Sequence, residues 1–235
     1  LRYRRYLVGY KRGKYNFTDI LSLNKLGWMV GLQMGLETAL FSITGIMIGW
    51  LGSIALAAHQ VMVAISTLGF MIYYGVGAAV SVRVSNYFGR QDLLHVRRTT
   101  MAGFHLILCL AVCACTVFLF SRELIGYLFT TSEEVIRVVS TLVYILLAYQ
   151  FGDALQITYA NSLRGIGDVI SMAVISFIGY FLIAMPVCYI CGFVLEWGIT
   201  GIWIGYPIGL TLTGVMLCGR YYWKLKTKTQ SKEFY

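Results

Sequence analysis

The 235 residues are 58% hydrophobic and only 12% charged, with a mean hydropathy of +0.72 and a formal net charge of +9. Soluble domains carry about a quarter of their residues as charges, so the composition excludes an ordinary soluble enzyme and points to a membrane protein. The basic excess has a sufficient explanation in topology and anionic headgroups, and nucleic acid is not read as a partner.

In chain order, a basic arm, "LRYRRYLVGYKRGKY" and the residues up to 24, comes first. It carries no signal-peptide pattern and is expected to link two membrane halves. Residues 25–224 form the membrane region, and 225–235 a basic tail. At the roughly 20 residues that a hydrocarbon core demands, six spans are predicted, at 26–50, 55–84, 101–120, 138–160, 169–195 and 199–222. No polar stretch between them is long enough for a separate domain. The fold class is all-α, a polytopic six-helix bundle, and glycines spread through the spans suit close helix packing in lipid.

Of the 19 Lys and Arg, 17 fall on one side of these spans and two, Arg122 and Arg137, on the other. The positive-inside rule then predicts that both termini are cytoplasmic. The six cysteines fall within or at the ends of spans, where a thiol acts as a small apolar side chain. "CYIC" has redox or metal spacing but no second pair or histidine cluster to complete a site.

Eight of the ten carboxylates lie outside the bilayer, leaving Glu37 and Asp153 near mid-depth. A charge there costs several kcal/mol. Helical spacing places Gln33, Glu37, Phe41 and Thr44 on one face of the first span, and Tyr149, Asp153, Gln156 and Ala160 on one face of the fourth. Two polar stripes centred on acids are best explained as walls of one internal cavity. An amide would serve as well as an acid if the role were only to join helices by hydrogen bonds.

Other polar residues carry less weight. His59, Gln60 and His105 lie within spans, where hydrogen-bonded packing is as good a reading as a proton relay. "GIGD", residues 165–168, matches a string of intramembrane aspartyl proteases, but Asp168 follows Arg164 at a predicted turn, at a different depth from Asp153.

The stretches "GLQMGLETALF" (31–41), "LGSIALAAHQ" (51–60), "GVGAAVSVRVSNYFG" (75–89), "YQFGDALQITYANSLRGIGD" (149–168) and "WGITGIWIGYP" (197–207) occur in the order of a known family. The chain resembles the multidrug and toxic compound extrusion (MATE) transporters, and in particular their carboxy-terminal half. The resemblance implies one lobe of a two-lobed, twelve-helix protein in a plasma membrane, a bacterial inner membrane, and a secondary active transporter rather than an enzyme. It implies export of organic cations and drugs in exchange for Na⁺ or H⁺, no other cofactor, and an amino-terminal lobe as partner in the same or a second chain. It matches the family acids to Glu37 and Asp153 and the family aromatic to Tyr149, and it gives "LRG" as a turn motif with a structural role for Arg164. Relatives carry proline near position 29, where this chain has Met, and glycine where it has Ser85.

A carboxylate desolvated at mid-membrane is tolerable when it binds a proton, a metal cation or an organic cation. Glu37 and Asp153 are therefore the expected ion-coupling residues and candidate Na⁺ ligands, with Gln33, Phe41, Thr44, Tyr149 and Gln156 lining the cavity. Met34, Met62, Phe70 and Met71 are further candidates for an adaptable wall. The alternatives are a flippase of the same superfamily, which would present a basic cavity, the protease, or a structural membrane protein indifferent to loss of the acids.

Overall fold

The computed structural model describes residues 16–233. Most of the predicted basic arm, residues 1–15, lies outside the described residues, as do the last two of the tail. Among the described residues every regular element is helical: α1 (Phe17–Gly49), α2 (Ser53–Gly89), α3 (Leu93–Phe120), α4 (Arg122–Phe129), α5 (Glu133–Gly165), α6 (Val169–Val194) and α7 (Gly198–Glu233). All but α4 are long and apolar enough to cross a membrane. The protein is a multi-pass membrane protein.

Two of the spans, α1 and α3, start on a side-chain cap. Asn16 Oδ1 accepts from the Thr18 N–H at 3.2 Å to start α1, and Asp92 Oδ1 accepts from the His95 N–H at 3.1 Å to start α3. These are N-cap bonds to donors that the helix leaves unpaired. α1 therefore begins inside the predicted arm, and α7 continues through the predicted tail. Sequence reading missed α4, whose Gly126 sits against Ile136 at the start of α5.

Helices α5 and α7 are the inner members. Half of the apolar window of α5 and 56% of that of α7 is buried, against 17% for α3, which lies outermost. Close approach of α6 and α7 comes from glycines at every fourth position, Gly201, Gly205 and Gly209. An added Cβ would meet the Cys191 carbonyl oxygen at 2.2 Å, Cys188 Sγ at 2.3 Å and Ala184 Cβ at 2.3 Å respectively. In lipid, where apolar surface gives no driving force between helices, such backbone approach supplies the packing.

Within α6, Pro186 has no N–H to donate. The segments on either side of it, Ile178–Ala184 and Ile190–Val194, wind as wider π-helix. The first carries Tyr180, fully buried and turned towards α1 and α5.

Candidate functional site

Two adjoining grooves run between α1, α2 and α5. One, of about 230 Å³, is lined by Met34, Glu37, Phe41, Phe70, Tyr149 and their neighbours. A smaller one continues past Gln33, Glu37, Tyr74, Gln156 and Asn161 to Arg164. Glu37 lies where they meet.

The Glu37 carboxylate accepts from Gln33 Nε2 at 3.3 Å and Gln156 Nε2 at 3.5 Å. The Tyr180 hydroxyl is within reach of it and is also hydrogen-bonded by Gln156. Gln33 in turn accepts from Arg164 Nη2 at 3.4 Å, and Arg164 Nη1 donates to Tyr74 at 3.2 Å and Asn161 at 3.3 Å. Glu37 thus sits in a network reaching from α1 through α5 to α2 and α6.

Asp153 differs. It is fully buried, and among the described residues neither carboxylate oxygen has a hydrogen-bond partner. Gln150 and the Tyr73 hydroxyl, also buried, have unpartnered polar atoms too. Tyr73 and Glu37 both interact electrostatically with Asp153. A buried acid without partners costs more than one hydrogen bond can offset, and the arrangement can lower that cost by taking up a cation or a proton.

The structure brings Gln33, Glu37, Phe41, Tyr149 and Gln156 together around these grooves, with Asp153 immediately behind. Thr44 lies elsewhere: its buried hydroxyl bonds the Leu40 carbonyl at 2.7 Å and meets the Tyr206 hydroxyl at 2.5 Å. Phe41 stacks on the same Tyr206 ring at 4.8 Å. Of the apolar wall candidates, Met34 and Phe70 line the groove, Met62 is fully buried in the core and Met71 faces outward. His59 is buried edge-on against Trp203 at 5.8 Å, away from both grooves.

Asp168 is not free for chemistry with Asp153. Its carboxylate accepts from Arg220 Nε at 2.8 Å and from the Ser171 hydroxyl at 2.8 Å. All six cysteines are free thiols. Among the described residues no three His, Cys, Asp or Glu side chains cluster as a metal site, so any bound Na⁺ would draw on hydroxyl, amide or carbonyl oxygens beside the two acids.

The MatE family profile matches residues 30–190, a stretch that carries both acids. The chain belongs to the MatE family. It is 35% identical over 220 residues to the multidrug resistance protein NorM of Photobacterium profundum, covering 92% of this chain and 47% of that protein. The chain thus spans about half the length of the curated relatives it matches. The fold is that of the eukaryotic MATE transporter AtDTX14, with a TM-score of 0.82 at 20% identity over 92% of this chain and 51% of that one. A MOP superfamily transporter from Pyrococcus furiosus, described as having a binding pocket of reversed polarity, also shares it, with a TM-score of 0.74 at 19% identity over 83% of this chain and 43% of that one. These likenesses show the fold, and the side chains lining the grooves carry the argument about function.

Four members of the site escaped the sequence reading: Tyr73, Gln150, Arg164 and Tyr180. Gln150 precedes Asp153 by three residues, a spacing that shares a helix face. Arg164 was placed at a turn, whereas its side chain reaches back along α5, the direction in which helical side chains lean.

Proposed function

We propose that this chain is the carboxy-terminal six-helix lobe of a two-lobed antiporter that exports organic cations and drugs in exchange for Na⁺ or H⁺. Its setting is a bacterial inner membrane, with both termini cytoplasmic. The observation that carries the reading is the pairing of a fully buried, unpartnered Asp153 with Glu37 at the junction of the two grooves. Membership of the MatE family and the multidrug resistance relative support the substrate class.

Occupancy of the acids by a coupling cation or by a cationic substrate is mutually exclusive. If each stabilises a different arrangement of the lobes, entry of one favours release of the other, which is antiport as differential binding to two conformations. Phe41, Phe70 and Met34 supply apolar surface for the body of an organic cation, and Glu37 supplies its counter-charge.

The test replaces Glu37→Gln and Asp153→Asn in the complete two-lobed protein and follows efflux of an organic cation under an imposed Na⁺ or H⁺ gradient. Membrane protein level is measured alongside. Each amide keeps size and hydrogen bonding while removing the titratable charge, so normal protein level with efflux reduced at least about tenfold is expected, the scale of one lost ionic contact. Efflux equal to the parent in both variants would overturn the reading and leave the acids a packing role.

A further inference from the structure

On another face of the bundle, α2 and α3 part towards the ends joined by their loop and leave a groove of about 400 Å³. It shares no lining residue with the acid-bearing grooves. Its deep end is apolar, formed by Val76, Val80, Ala102 and Leu106, and its mouth carries Arg83, Arg98 and His95. The helices close beneath it where Gly103 meets Val80, since a Cβ there would come within 2.3 Å of Val80 Cγ2. Beyond the mouth, Arg83 and Tyr87 continue with Arg90 into a further recess of about 190 Å³.

The cationic end is only partly compensated, since Arg98 acts on the Asp92 carboxylate through its charge without a close contact. Among the described residues Arg83, Arg90 and Arg98 form no ion pair. Arg83 reaches only the Tyr87 hydroxyl, at 3.5 Å. The nearby acid, Asp92, is engaged by His95 at 2.7 Å, and the His95 ring stacks on Tyr87 at 5.1 Å. From Val76 to Tyr87 the groove follows α2 for about 16 Å at 1.5 Å per residue. α3 is the least buried span, and Leu106 is half exposed.

A ligand matching this groove has an anionic head at the membrane surface and an apolar tail running towards the bilayer centre. We infer that the α2–α3 groove is a binding site for an anionic glycerophospholipid, its phosphate held by Arg83 and Arg98 and one acyl chain laid along Val76, Val80 and Leu106. The apolar floor has no use for a free phosphate ion, and the arginine pair has none for a zwitterionic lipid whose headgroup bears its own cation. Basic recesses between spanning helices are suited to headgroups of this charge.

The test is native mass spectrometry of the complete protein titrated with phosphatidylglycerol, phosphatidylcholine or inorganic phosphate. With each arginine near a membrane surface contributing about fivefold, Arg83→Gln with Arg98→Gln should weaken phosphatidylglycerol binding roughly 25-fold. Arg122→Gln with Arg137→Gln, at the other end of the bundle, should leave it unchanged. A photoactivatable phosphatidylglycerol carrying its reactive group on the acyl chain should label the unmodified protein within 76–87 or 98–106. That measurement decides the matter even if the double variant fails to fold. Equal binding of phosphatidylcholine, displacement of the lipid by inorganic phosphate, or labelling confined to other helices would overturn the site.

Discussion

Between α6 and α7 a methyl group has nowhere to go, whereas along α1 the glycines stand clear. Gly27, Gly31 and Gly35 have the same four-residue spacing as Gly201, Gly205 and Gly209, yet no atom lies within 4 Å of a Cβ built on any of them. One seam is closed by backbone contact and the α1 ladder stands open, while Glu37, two residues past Gly35, lies on a different face of α1, at the grooves. Spacing alone therefore announces a face suited to close approach without saying what approaches it.

The largest effect should come from adding one methyl to the closed seam. Gly201→Ala would drive a Cβ to within 2.2 Å of the Cys191 oxygen and 2.5 Å of its carbonyl carbon, both backbone atoms. Neither can turn aside, so we expect a loss of about 3 kcal/mol, the upper end for overpacking. Gly31→Ala on the open ladder should instead leave this chain unchanged or more stable by about 0.5–1 kcal/mol, since alanine loses less entropy in a helix. Thermal unfolding in detergent checks both. Equal responses would erase the distinction between the ladders, and a Gly31→Ala penalty seen only in the complete protein would show what packs on α1.

How much of this was legible beforehand follows the same division. The six spans and the two intramembrane acids could be read because hydropathy and charge are properties of each residue. Faces could be read because helical period is fixed, and Gln33, Glu37, Tyr149 and Gln156 do converge. Neighbours could not. Thr44 shares the Glu37 face but meets Tyr206 on α7, and Met62 and Met71 are turned to the core and to the outside. Tyr180 lies in a π-helical segment, where the wider turn shifts side chains off the ordinary period. The short α4, with eight residues, lacks the length that makes a span visible.

The link between the two regions gives the next effect in size. Thr44 on α1 and Tyr206 on α7 share a buried hydroxyl contact, and the Tyr206 ring also stacks on Phe41 and meets Trp203 edge-on at 5.1 Å. Thr44→Val keeps the shape and leaves the Tyr206 hydroxyl buried without that partner, which should cost about 2 kcal/mol. Adding Tyr206→Phe removes the stranded group, so the double variant should recover part of the loss. A double variant as unstable as the sum of the singles would mean that the two hydroxyls do not act as a pair.

The smallest effect lies at the end of the closed seam, where Asp168 at the start of α6 meets Arg220 on α7 at 2.8 Å, with Lys224 at 4.0 Å. Partial burial alone would raise its pKa, but the hydrogen bonds from Arg220 and Ser171 and the Lys224 charge outweigh it and hold the carboxyl below its ordinary value. A depressed folded-state pKa means that the contribution is fully present above the unfolded value of about 3.9. It is lost as pH falls through the lower, folded one. Because the pair is reached by solvent, its worth is at most about 1 kcal/mol. Asp168→Asn should therefore lower stability slightly at pH 7 and have no effect near pH 2, where the parent has lost the same interaction. Asp92 is also held below the ordinary range, by the His95 backbone N–H first, with the His95 ring and the Arg98 charge helping it outweigh the opposing effect of burial. Acid sensitivity in that region persists in both proteins, and the difference between the two pH profiles isolates the α6–α7 pair. A variant that loses as much stability at pH 2 as at pH 7 would assign the effect to packing of the carboxyl rather than to its charge.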